Sequence, residues 1–217
     1  MSNMVDINDD ATIPFAPVID GIFLPSDPEV LLTEGNFNRV NLMAGHTSHE
    51  AMLLAMKVLA ILQEQDAVTE PHLNAQIFDT LLSIGKTRQF LIDPIKRQAM
   101  ELVYLDDEVL SRTGGNYLDM FLQLNGDFWY VCPTDAFLKA FSGGDKSHGF
   151  SRYMYHMTHH PSSSIFNTPW SGACHTDDLI FVFGAHFNPD SPFSLTEEET
   201  EMSVQIMKYW SNFAKTG

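Results

Sequence analysis

Apolar positions recur along this chain with two rhythms. The clearer is helical. Met202, Ile206, Trp210 and Phe213 lie four, four and three residues apart, which is one face of an α-helix. Thr196 followed by Glu199 has the form of a capping box. Glu197, Glu198 and Glu199 stand at the positive end of that helix's dipole, with Lys208 and Lys215 toward the negative end. A second helical run covers residues 46–65. There Met52, Met56, Leu59, Ala60 and Gln63 keep the spacing, and Ser48 suits the N-cap. From Pro71 to Lys146 the pattern stays mostly helical, with segments near 73–84, 94–105, 115–126 and 134–141. These are separated by "IGK", "IDP", "RTGGN" and "SGGDKSHG". Pro94 and Pro133 suit first-turn positions.

Two stretches follow the other rhythm. Arg39 to Gly45 is a compact apolar strand closed by glycine, and Ser151 to His160 alternates as a strand does. "APVIDGIFLP" (residues 16–25) is broken by Asp-Gly and prolines and reads as turns. Residues 1–13 form a loose polar start, and 14–217 read as one unit without repeat or linker. Strand, helix cluster, strand, loop, helix predicts an α/β fold with a helical insertion between strands.

Composition narrows the field. Of 217 residues 44% are hydrophobic and 18% charged, enough for a real core. The 28 acidic and 12 basic residues leave a formal charge of −16, which repels phosphate backbones and argues against a nucleic-acid partner. No stretch approaches the roughly 18 consecutive apolar residues of a membrane span. "MSNMVDINDDATIP" has neither the basic nor the apolar region of a signal peptide. The two cysteines, Cys132 and Cys174, could pair, stay free, or have partners outside the chain.

The chemistry concentrates near "PWSGACHTDDLIFVFG" (residues 169–184). His175 stands on a turn of small residues before two carboxylates, Asp177 and Asp178, and an apolar run, Leu179 to Phe183, expected to be buried. An imidazole so placed suits proton transfer if a carboxylate accepts its Nδ1–H. Glu50 is the candidate, because it follows the first strand, and strand-end loops carry catalytic groups in α/β enzymes. A serine nucleophile would sit in G-x-S-x-G, and no such sequence occurs. Cys174, adjacent to His175, is badly placed to be attacked or to attack. His156, His159 and His160, and His46, His49 and Glu50, give no zinc spacing. "SGGDKSHG" lacks the Lys-Ser/Thr of a phosphate cradle. No metal and no cofactor is implied.

"PFAPVIDGIFLP", "LMAGHTSHEAM", "DFWYVCP", "PWSGACHTDDLIFVFG" and "TEEETEMSVQIMKYWSNFAKTG" together resemble the type-B carboxylesterase/cholinesterase family, from about Pro14 to Gly217. The densest matches are H-x-x-D-L-x-F-V-F-G and I-M-x-Y-W-x-N-F-A-K-T-G. The resemblance implies the C-terminal portion of an α/β-hydrolase fold and carboxylic ester hydrolysis through a Ser–His–Glu triad and an acyl-enzyme. His175 falls on the triad histidine and Glu50 on the triad acid. Ala51 replaces the glycine usual after that acid, and Thr47 stands where Asn is usual. Asp178 falls on an acidic position expected to support the histidine loop. Cys132 falls on a half-cystine whose usual partner lies beyond Gly217.

The same resemblance places the family's serine and oxyanion hole in a missing N-terminal half. The 217 residues therefore read as a C-terminal piece, inactive alone. Its parent would be secreted or membrane-tethered, a possible homo-oligomer, with a small ester as substrate. Substrate-pocket positions fall on Ala11, Ile13, Leu53 and Asp177, with Lys57 at the rim. These are aliphatic or charged, which favours a broad carboxylesterase over a cholinesterase, although the acidic charge points mildly the other way. The rival reading from another class is a non-catalytic cholinesterase-like domain in cell adhesion. A defunct truncated duplicate is the third.

Overall fold

The computed structural model describes residues 17–61, 72–82, 93–105, 107–112, 114–141, 150–166 and 168–217. In chain order its elements are α1 (Pro28–Thr33), β1 (Leu42–Thr47), α2 (Met52–Ile61), α3 (Ala75–Leu82), α4 (Pro94–Tyr104), α5 (Asp107–Arg112), α6 (Leu118–Gly126), a π-turn (Asp127–Val131), α7 (Cys132–Ala140), β2 (Arg152–Met157), α8 (Asp177–Val182), a 3-10 turn (Ala185–Phe187) and α9 (Glu197–Thr216). They group into two compact units. One is Met1–Asp27 with His72–Leu124, the other Pro28–Pro71 with Asn125–Gly217.

The first unit is helical. Asp93 caps α4 by accepting from the Ile95 and Lys96 amides, and Pro94 fills the first turn, where an absent N–H costs nothing. Tyr117 N–H donates to Leu73 O at 2.7 Å, and Asn116 Oδ1 accepts from Leu73 N–H at 2.9 Å. The polar clasp closes a small core of Leu73, Phe78, Leu118 and Phe121, all buried.

The second unit carries a parallel pair, β1 beside β2, in register from Leu42↔Arg152 to Thr47↔Met157. Parallel strands cannot share a tight hairpin, so the helical insertion between them is a topological need. Gly45 faces Tyr155, and a Cβ there would collide with that tyrosine's backbone and ring. Glycine lets the Tyr155 ring lie across β1. The ring then packs edge-on against Trp210 of α9 at 4.9 Å, while Tyr153 meets Phe213 at 5.8 Å. The apolar stripe of α9 thus covers the sheet. Buried Ser203 donates to Phe181 O at 2.8 Å and fixes α9 against α8.

Several boundaries differ from the sequence reading. β1 begins at Leu42 rather than Arg39 and runs on to Thr47. Ser48 is not an N-cap. Its N–H donates to Met157 O at 2.9 Å, which prolongs the strand pairing, and the helix waits until Met52. β2 stops at Met157, so His159 and His160 lie in the loop beyond it. Pro133 stands in the first turn of α7, as the sequence reading expected, but that helix does not start afresh there. The chain is helical through it, and the π-turn has Cys132 N–H bonding Asp127 O, five residues back. That wider turn relieves the clash a proline ring makes with the preceding turn. The run Leu179–Phe183 is only half buried. Ile180 and Phe181 face inward, whereas Leu179 and Phe183 are exposed, because the segment is a short helix rather than a strand.

Candidate active site

Two loops meet at the C-terminal ends of the paired strands. After β1 the chain doubles back, and Thr47 N–H donates to Glu50 Oε1 at 2.7 Å. The carboxylate is thereby folded onto its own strand end. The loop after β2 returns alongside: His49 N–H donates to Ala173 O at 2.7 Å, and Gly172 N–H donates to His49 Nδ1 at 3.2 Å. A Cβ on Gly172 would strike Ser48 Oγ and the His49 ring, so only glycine allows the two loops to approach this closely.

This approach brings His175 Nδ1 to 2.6 Å from Glu50 Oε2, across 125 residues of sequence. A carboxylate only accepts, so the proton sits on Nδ1 and Nε2 keeps a lone pair. Glu50 is 7% exposed and His175 33%. One edge of the imidazole is therefore anchored in the interior and the other is open. Among the described residues no hydroxyl bonds to Nε2. The Glu50 carboxyl is opposed first by burial. The His175 hydrogen bond, the Thr47 N–H and the imidazole's charge outweigh that and bring it below the ordinary glutamate value. The His175 imidazole is pushed up, chiefly by the bond to Glu50, against the opposing effect of burial. The pair is built to hold an imidazolium.

A model of the "Carboxylesterase family" matches residues 1–217. The chain belongs to the carboxylesterase family. Within it, this chain is 29% identical to Acetylcholinesterase 1 of Caenorhabditis elegans over 94% of its own length and 32% of the relative's. It is 30% identical to Carboxylesterase 3B of Mus musculus, over 92% of the chain and 34% of the relative. With Neuroligin-3 of Mus musculus it shares 28%, over 94% of the chain and 24% of the relative. The chain spans a quarter to a third of the length of these relatives.

In this carboxylesterase-family chain the other expected residues take varied positions. Asp178 accepts from Tyr155 Oη at 3.0 Å, and that phenol is pushed well up by burial first and by the Asp178 charge next. Asp178 therefore ties the start of α8 to β2. Asp177 was expected in a substrate pocket. Its side chain is 1% exposed, with Oδ1 accepting from Ser164 Oγ at 2.8 Å and Oδ2 from Cys174 N–H at 2.7 Å. It turns inward and anchors the loop, since both oxygens find donors there. Leu53 is exposed at the first turn of α2. Ala11 and Ile13 lie outside the described residues, as does the Lys57 side chain. Cys132 is an exposed free thiol and Cys174 a buried one.

Two features escaped the sequence reading. Tyr130, from the π-turn, places its ring 5.2 Å from that of His175. The proline at 133 was the one available signal of an irregular helix there. Thr176, directly after His175, has φ 76°, a left-handed conformation unfavourable for a β-branched residue. Strain of this kind costs about 1–3 kcal/mol and persists where surrounding bonds enforce it.

Proposed function

We propose that this chain supplies the acid–base half of a serine carboxylesterase. His175 Nε2 takes the proton of a serine hydroxyl as its oxygen attacks the ester carbonyl. The imidazolium then gives that proton to the departing alkoxide, leaving an acyl-serine. A water, deprotonated by the same nitrogen, attacks the acyl group, and the proton returns to the serine oxygen. Glu50 fixes the tautomer and steadies the imidazolium in both halves. The single observation carrying this reading is the 2.6 Å bond from His175 Nδ1 to the buried Glu50 carboxylate. It also favours catalysis over the non-catalytic cholinesterase-like alternative, for which the pair has no use.

No G-x-S-x-G elbow lies in the 217 residues, so the serine and the oxyanion donors come from other polypeptide. The parent is a family member of the secreted or membrane-tethered kind acting on small esters. Leu53, three residues after Glu50, falls on the choline-side position, and an aliphatic side chain there supports a broad carboxylesterase over a site for a quaternary ammonium, which wants an aromatic face.

The test is hydrolysis of a p-nitrophenyl ester. The purified chain alone shows no saturable turnover. A polypeptide that joins it to a serine-bearing N-terminal portion of the family turns over, and His175→Ala lowers that rate by about ten-thousand-fold or more. Saturable turnover by the chain alone, lost in His175→Ala, overturns the division of labour.

A further inference from the structure

Behind the turn that carries His175, three side chains with metal-ligating atoms converge. A ring nitrogen of His160, the Cys174 sulfur and an Asp177 carboxylate oxygen lie within 4.8 Å of one another. His160 Nδ1 is 3.6 Å from Asp177 Oδ2. In a tetrahedral site with bonds of about 2.0–2.1 Å, ligand atoms stand roughly 3.3–3.5 Å apart, so this edge is already near the required length. Cys174 is fully buried and Asp177 is 1% exposed, while His160, at 21%, lies on the side open to solvent.

We propose that His160, Cys174 and Asp177 form a binding site for a divalent transition-metal ion of the zinc class, with water completing the shell. The donor set of imidazole, thiolate and carboxylate is the zinc set. An ionised carboxylate in so closed a position is costly without a counter-charge, and the ion supplies one. The surroundings match those of ordered metal ligands. Ser164 Oγ and Cys174 N–H each donate to one Asp177 oxygen, and the hydroxyls of Ser171 and Thr168 lie 3.3 and 3.7 Å from the sulfur. Binding requires two local changes. The thiol proton leaves to solvent. His160 Nδ1, whose proton now points to Gly172 O at 2.9 Å, gives up that bond and carries its proton on Nε2 instead. One proton is released per ion. The sequence hides the set, because the ligands are fourteen and three residues apart and fit no zinc motif. Since Cys174 and Asp177 flank His175, the ion fastens both sides of its turn.

The test uses the full chain titrated with Co2+, whose thiolate complexes show a charge-transfer band in the near ultraviolet. The band is expected to saturate at about one ion per chain, to be displaced by Zn2+, and to persist in Cys132→Ser. Cys174→Ser abolishes it. His160→Ala, at the most exposed of the three ligands, tests the site without touching the core and weakens binding by at least about 10–100-fold, with Ser164→Ala weakening it less. Circular dichroism confirms that each variant is folded. The proposal fails if folded wild-type chain gives no band, or if the band survives His160→Ala unchanged or depends on Cys132.

Discussion

At the scale of single residues, the Glu50–His175 bond decides most. The carboxylate does two jobs with its two oxygens: Oε1 closes the turn through Thr47 N–H, and Oε2 receives the Nδ1 proton. Glu50→Gln separates them. The amide keeps an acceptor for Thr47 but offers the imidazole no full negative charge, and it can present its NH2 group to Nδ1. The proton then shifts to Nε2 and the base loses its lone pair. We expect the far-downfield Nδ1 proton resonance of His175 to be present in the chain's proton NMR spectrum and absent in Glu50→Gln, with circular dichroism unchanged. In an assembled enzyme the same change costs about ten-thousand-fold in kcat, as wrong-tautomer variants of other triads do. A resonance that survives the substitution means that Glu50 is not the partner.

At the scale of elements, α9 shows what local chemistry can specify. Its capping box forms as the sequence reading expected: Thr196 Oγ1 accepts from Glu199 N–H at 3.2 Å, and Glu199 Oε2 from Thr196 N–H at 2.9 Å. All the information lies within four residues, so it was legible. The further use of Glu199 was not. Its Oε1 accepts from Ser162 N–H at 2.7 Å and pairs with His159 Nε2 at 3.0 Å, partners about forty residues away that only the tertiary fold supplies. The same limit explains Ser48, whose local cap signal lost to a strand bond from Met157, and the inward turn of Asp177. It explains Tyr130 and the His160–Cys174–Asp177 cluster as well. His175 and Glu50 were candidates from their places on a small-residue turn and after the first strand, and the family resemblance put them on the triad histidine and acid. The Glu199 network has a pH signature. Burial opposes the Glu199 charge, but its bonds from Ser162, Thr196 and His159 bring the carboxyl down to about 2. A folded-state value below the unfolded one gives stability that is complete above roughly pH 4.5 and lost as the pH falls toward 2, on the order of 3 kcal/mol at most. Urea melts across that window should show wild type converging on Glu199→Gln as acid is added. Parallel pH profiles for the two proteins would refute the assignment.

At the scale of the whole molecule, the sheet among the described residues has two strands. Two parallel strands are a fragile unit, since parallel sheets occur with neighbours on their edges and helices on both faces. Among the described residues β1 and β2 pair only with each other. Tyr153 and Met154 of β2 are 47% exposed, and Phe183, at 77%, and Phe187, at 61%, stand out beyond α8. Surface of this kind on one unit attracts apolar partners and unpaired strands. No helix among the described residues is long and apolar enough to cross a membrane. About two thirds or more of each relative lies outside the matched region. We expect the chain expressed alone to self-associate in sedimentation experiments. Co-expression with the preceding part of a carboxylesterase-family protein should raise its soluble yield and give a single complex containing both pieces. Net charge works against aggregation here, since −16 keeps molecules apart. Added salt, which screens that repulsion beyond about 10 Å at 0.1 M, should therefore hasten association of the chain alone and leave the complex unaffected. A monodisperse monomer that melts cooperatively, indifferent both to salt and to the added piece, would show that two strands and their helices suffice.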